Sequence, residues 1–369
     1  MSAKLAMTIS TLLLNLVSVS TLLASDGLVP FSAWDLNNDP ANINVEATDR
    51  AFEYNLARLP MRGELEKKPW TDTYWPSYKR GIAQRWVDSS SIGFSFRDFF
   101  SSRLSEKKVA KLSPAEKYDL YLGNMDYPLT EAEKNRTSRS APKWEGLCHG
   151  WAMASMLFDE PNPITVVNNN GVVIHFGSSD IKALLTLLQG NYNEGKTYFA
   201  GSRCDAKFNV YRWHNRNNAC MDVNAGAFHV ILSNKIGILK QGIVIDRQTD
   251  KEVWNQPVHA FRSKIIAEQA ATADAAPGTV KEVVVSTVIT YTAEIEPNFY
   301  PQNRAGTEDF RVLKEYRYIL ELNRHGNIIG GEWISSDYPD FIWTQSRVRF
   351  VNYFASLAKL YQLSIRANN

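Results

Sequence analysis

Cys148 stands in the run Trp144-Glu145-Gly146-Leu147-Cys148-His149-Gly150-Trp151, where a glycine-bearing turn leads straight into an apolar helical pattern. A thiol in the first turn of a helix has its anion favoured by the helix dipole, so this spacing predicts a nucleophile. Thiol catalysis also needs a base to move a proton and a group to orient that base. Of the six histidines, His229 is the candidate base. It heads a short apolar run after Asn224-Ala225-Gly226-Ala227, small residues that would leave its ring accessible. His149 adjoins the nucleophile but projects about 100° away from it on a helix. His175, His214, His259 and His325 read as structural. Asp246 ends the next predicted strand, and a hairpin through 234–241 would set its carboxylate on the imidazole. Asp250 and Asn255 are rivals for that role. A buried cysteine, a core histidine and a turn aspartate have the same residue types, so spacing alone leaves both readings open.

The elements that must position these groups divide the chain. Residues 1–24 read as a secretory signal peptide: Lys4, an apolar run from Leu5 to Leu23, then Ala24-Ser25. Residues 25–140 read as a mostly helical N-terminal region, a possible cover or pro-segment, with the basic stretch 136–143 as a processing site. Ser113-Pro114-Ala115-Glu116 and Thr130-Glu131-Ala132-Glu133 are two capping boxes. Within 35–46, Asp35, Asn37, Asp39 and Glu46 fall on calcium-loop positions, although Pro40 stands where glycine is required. Residues 141–369 read as the catalytic domain. A helix starts at Cys148 and ends near 159–163, and a second covers 179–189. After Met221 the pattern turns to strands, over 228–232, 242–246, 282–295 and 316–322, with a return strand at 328–334. Helices followed by an antiparallel sheet predict an α+β fold.

Export permits disulfides, and Cys204 with Cys220 would close a short, turn-rich loop, leaving Cys148 free. Other pairings would consume Cys148. The net charge of +2 speaks against a nucleic-acid partner. No stretch after the signal is long and apolar enough to span a bilayer, so no stable membrane insertion is expected once the signal is cleaved. The expected location is secreted, extracellular or periplasmic.

Several segments resemble the transglutaminase elicitor family, an oomycete type of secreted transglutaminase. They are Val253-Trp254-Asn255-Gln256-Pro257-Val258, Pro69-Trp70 through Lys79, the Cys148 run, Cys220 to Ala225, Phe228-His229-Val230, Gly330-Gly331-Glu332-Trp333 and Pro339 to Trp343. The likeness runs from about residue 45 to the C-terminus. It implies a papain-like core in which the nucleophile helix packs on the antiparallel sheet. It implies a Cys148/His229/Asp246 triad, with Asp246 preferred because Val244-Ile245-Asp246 resembles the strand-end aspartate of animal-type transglutaminases. It also implies acyl transfer from a protein glutamine to a lysine amine, helped by a divalent cation, Ca2+ or Mn2+, whose ligands are unknown. The partners would be protein substrates bearing glutamine and lysine. One departure is His149, which stands where related enzymes place an aromatic residue.

In this reading the Cys148 N–H and the Trp144 indole hold the oxyanion. Trp144, Trp151, Trp254 and Trp333 would line a groove that excludes water. Two alternatives remain at this level: a thiol peptidase or amidase on the same fold, and a secreted elicitor or binding protein with an idle triad.

Overall fold

The computed structural model describes residue 34 and residues 36–44, 51–88, 105–192, 195–202, 222–247, 251–302 and 310–366. All of them belong to one unit, Phe31–Asn369. The proposed signal peptide, Asp35, Glu46, the Cys204–Cys220 pair, His214 and Asp250 lie outside the described residues.

In chain order the described elements are β1 (Arg62–Glu64), α1 (Glu106–Val109), α2 (Pro114–Tyr121), α3 (Pro128–Arg136), α4 (Cys148–Leu157), β2 (Ile164–Val167), β3 (Val173–Phe176), α5 (Ser178–Asn191), β4 (Thr197–Gly201), α6 (Ala225–Leu232), β5 (Ile243–Asp246), β6 (Asn255–Ala270), β7 (Lys281–Thr292), β8 (Arg311–Leu322), β9 (Ile328–Trp333), β10 (Phe341–Gln345) and α7 (Leu357–Arg366). The main sheet runs β4-β10-β5-β6-β7-β8-β9, with β1 added against β6. Its pairings are antiparallel. The fold is therefore α+β, as expected.

Strand alternation sorts the side chains of β5 and β10 into two cores. Val244 and Trp343 join a first core with Trp151, Ala152, Leu184 and Leu188 of α4 and α5. Ile243, Ile245 and Ile342 join a second core with Phe228, Val230 and Ile231 of α6. Neighbouring residues of a strand point to opposite faces, so α4 and α6 pack on opposite sides of the sheet. The two helices of the first core touch backbone to backbone. A Cβ at Gly150 would fall 2.2 Å from the Thr186 carbonyl oxygen, so only glycine allows this approach.

Three expectations are corrected. First, residues 228–232 form part of helix α6, not a strand. A short apolar run does not distinguish the two by period. Asn224 decides it, since its side-chain oxygen accepts from the N–H groups of Gly226 and Ala227 and caps the helix. Second, the capping box at Ser113 forms, but Thr130 lies inside α3, which starts at Pro128. The N–H and hydroxyl of Thr130 donate to the Asp119 carboxylate at 3.0 and 2.8 Å, as does the Leu129 N–H at 3.0 Å. Third, the N-terminal part is less helical than expected. Residues 51–88 hold only β1 and short 3-10 turns, and among the described residues before 140 the α-helices lie within 106–136. These residues are not peripheral: Trp70, Trp75, Ile82, Tyr118 and Leu129 are buried in the first core with Trp151.

Candidate active site

The first turn of α4 is held by the aromatic loop that precedes it. The Leu147 N–H donates to the Tyr74 carbonyl at 2.6 Å and the Ser77 N–H to the Glu145 carbonyl at 2.8 Å. Gly146 fits because a Cβ there would meet the Tyr74 carbonyl oxygen at 2.6 Å. The Tyr74 hydroxyl donates to the Lys143 carbonyl at 2.6 Å. The N-terminal loop thus builds one wall of the site.

Cys148 is the first residue of α4, a free thiol with 5% of its surface exposed. The Asn255 side-chain amide donates to its sulfur at 3.4 Å, and the S–H donates to the Val253 carbonyl at 3.6 Å. The Asn255 carbonyl oxygen accepts from the Trp343 indole N–H at 2.7 Å. Asp246 and Asn255 are direct cross-strand partners. The Asp246 carboxylate accepts from the Trp254 N–H at 3.0 Å, which fixes the β5–β6 connection over the sulfur. The Trp254 ring stands edge-on to Tyr74, with centroids 5.5 Å apart, and its indole N–H donates to Glu252.

Burial pushes the Cys148 thiol up from its ordinary value. The Asn255 hydrogen bonds oppose this, and the nearby Glu294 and Asp246 charges add to it. The helix dipole alone favours the thiolate, but desolvation outweighs it here. Glu294 is itself pushed up, chiefly by burial, and accepts from the Gln256 side-chain amide at 2.9 Å.

His229 does not join this group. It lies on α6 in the second core, on the other face of the sheet from Cys148 and Asn255. Its Nδ1 pairs with the Tyr318 hydroxyl at 2.7 Å, and that hydroxyl pairs with Thr287 at 2.6 Å. Its Nε2 is buried without a hydrogen-bond partner, and burial lowers the imidazole to about 4. The expected accessibility of the ring depended on a strand that the chain does not form. Asp246 lies near enough to Cys148 for its charge to act on the thiol; His229 is separated from them by the sheet. His149 turns toward α5, where its Nε2 lies 2.9 Å from the Cβ that Gly190 lacks.

The four tryptophans also separate. Trp254 stands over the site, and half-buried Trp144 lies just before the nucleophile turn. Trp151 is fully buried in the first core. Trp333 packs behind the sheet, stacked on Tyr338 at 5.2 Å, with its N–H donating to the Val223 carbonyl. Neither lines a groove at Cys148. Asn255 and Trp343 are the contacts that the sequence underrated. The signal for Asn255 was present as a short polar residue opening a long strand.

Among the described residues no three His, Cys, Asp or Glu side chains gather as a metal ion would require. Asp39, from the calcium-like run, caps a 3-10 turn by accepting the Ala41 N–H at 2.9 Å. No described helix is long and apolar enough to cross a membrane.

An α+β fold with a free thiol at a helix start, facing the strand ends of an antiparallel sheet, matches a defined class. The sequence model of the transglutaminase elicitor family matches residues 129–352, more than half of the chain, and the chain belongs to that family. Its fold is similar to the crystal structure of the GP42 transglutaminase from Phytophthora sojae, with a TM-score of 0.63 and 22% identity over 86% of this chain and 94% of that one. No curated protein matches the chain.

Proposed function

We propose that this chain is a secreted protein-glutamine γ-glutamyltransferase whose nucleophile is Cys148, working in a papain-like arrangement of helix and sheet. The observation that carries the reading is the hydrogen bond from the Asn255 amide to the Cys148 sulfur, in a member of the transglutaminase elicitor family. The Cys148 sulfur attacks the glutamine carboxamide carbon, the C–N bond breaks, ammonia leaves and a thioester forms. A lysine amine then displaces the sulfur and leaves an isopeptide bond. The thiol proton travels to the departing nitrogen, and the proton lost by the amine returns to the sulfur.

The proton carrier in this reading is a carboxylate rather than an imidazole. Glu294 is near enough for its charge to act on the thiol, and burial raises its carboxyl, which favours the protonated form that a general acid needs. Asp246 holds the β5–β6 connection by its bond to the Trp254 N–H. The Asn255 side-chain N–H, braced by the Trp343 indole, is the donor placed for developing charge. Protein substrates bearing glutamine and lysine, a divalent cation with no ligands assigned, and export directed by residues 1–24 complete the proposal.

The test is incorporation of a labelled amine into a glutamine-bearing protein by wild type, Cys148→Ala, Glu294→Gln and His229→Gln. Loss in the first two with retention in the third supports it. Full activity of Cys148→Ala refutes the nucleophile, and loss in His229→Gln with retention in Glu294→Gln refutes the carrier.

A further inference from the structure

A groove of about 950 Å³ crosses β1, β6, β7 and β8, and none of the residues in contact with Cys148 lines it. Its walls carry Arg62, Arg262, Arg311 and Lys240, with Glu64 as the carboxylate among them. Arg62 and Arg262 are direct cross-strand partners, so two guanidinium groups rise from the same face of neighbouring strands. Like charges in that relation repel, and neither arginine makes an ion pair with a described residue. Glu64 is bridged to Lys68 at 3.5 Å.

His259 also lines the groove. It is 1% exposed, and both of its ring nitrogens are buried without a hydrogen-bond partner. Burial lowers the imidazole to about 4; Glu64 opposes this, while Lys68 and Arg311 reinforce it. Two facing guanidinium groups without a carboxylate partner, in a groove whose wall also holds a buried ring with two unmade hydrogen bonds, form an arrangement that lacks an acceptor-rich anion.

We propose that this groove binds a phosphate or sulfate group, gripped between Arg62 and Arg262, with His259 buried in the groove wall. Two planar forks on neighbouring strands, with Arg311 on the same groove wall, suit an oxyanion with three or more acceptor oxygens better than a two-oxygen carboxylate. The site is independent of the acyl-transfer reading.

Calorimetric titration of the full-length protein with inorganic phosphate, inorganic sulfate and acetate, at constant ionic strength, tests it. Phosphate or sulfate should bind one-to-one and saturably, and acetate at least about tenfold more weakly. The Arg62→Gln/Arg262→Gln double variant should lose at least about tenfold in affinity while keeping its amine-incorporation rate. His259→Phe should raise the melting temperature of the anion-free protein because an unpaired buried polar ring is replaced by an apolar one. Phenyl phosphate binding more tightly than inorganic phosphate assigns the group to a phosphorylated carrier, and the reverse assigns the free ion. Equal binding of acetate and phosphate, unchanged affinity in the double variant, or no saturation at tens of millimolar overturns the proposal.

Discussion

The side-chain amide of Asn255 reaches the Cys148 sulfur at 3.4 Å from the start of a strand, while its carbonyl oxygen is held by the Trp343 indole at 2.7 Å. The amide is thereby fixed in one orientation, donor toward sulfur and acceptor toward indole. Its hydrogen-bond donation favours the thiolate against the burial that disfavours it. Replacing Trp343 with Phe should release the amide without emptying the core. We expect kcat/KM for amine incorporation to fall about 10- to 100-fold, and Asn255→Ala to fall at least as far. A Trp343→Phe enzyme with unchanged kcat/KM would show that the orientation of Asn255 is irrelevant to the chemistry.

Cys148→Ala should remove more than about 10³-fold of the amine-incorporation rate and leave the far-UV circular dichroism unchanged, since in the proposed reaction the sulfur carries the acyl group and its small side chain adds little to the first core. Iodoacetamide should label Cys148 slowly in the folded protein and fast in denaturant, because the sulfur is buried beneath the β5–β6 connection.

His229 stabilises the second core and should show it through acid. Its folded value of about 4 is depressed below the ordinary 6.5, so between those values the unfolded chain binds the extra proton. Stability from this group is therefore complete above about pH 6.5 and falls as pH drops toward 4, by up to about 3 kcal/mol. His229→Gln should flatten the decline in melting temperature over this window. An identical acid slope in the variant would mean that the ring titrates normally.

Asp72 works in the opposite sense. Burial raises its carboxyl to about 7 from 3.8, against the opposing effects of Lys182 and the Ser179 hydroxyl at 2.7 Å. The folded form then holds the proton more tightly, so this group's contribution is full below about pH 3.8 and is lost as pH rises through 7. Asp72→Asn keeps an acceptor for Ser179 and should melt higher than wild type at pH 8.5, with the advantage shrinking toward pH 5.5. A variant that melts lower at both pH values would show that the carboxylate is stabilising when ionised.

Removal of the residues before Pro142 should unfold the protein rather than activate it. Trp70, Trp75, Tyr118 and Leu129 would be withdrawn from the first core, and burial of each such side chain contributes roughly 2 kcal/mol. The Tyr74 contacts that hold the Leu147 turn would go with them. Soluble, cooperatively folding protein after this truncation would contradict the shared core. A cover in the sense expected from the sequence would have to leave the Trp70–Trp75 loop in place.

The elements that read clearly from the chain are those whose signals are local. The Ser113 capping box, the helical period over 179–189, the Cys148 turn and the alternation through 316–322 depend on neighbours within a few residues, and the structure contains all of them. So does the pairing of Ile328–Trp333 with the strand before it, across the turn at Gly326. The run 228–232 was ambiguous because four apolar residues and one histidine fit either period. The cap at Asn224 and the packing of Gly226 on Gly330 resolved it as helix, and both lean on β9, more than a hundred residues later. That one choice moved the His229 imidazole to the far side of the sheet. By itself the sequence determined which cysteine opens a helix, which strand ends in Asp246 and which family the segments resemble, since each is written in contiguous residues. Only the tertiary structure decided what faces the sulfur. Asn255 reaches Cys148, and Trp343 reaches Asn255, through register between distant strands, and register is set by the two cores the sheet must fill at once.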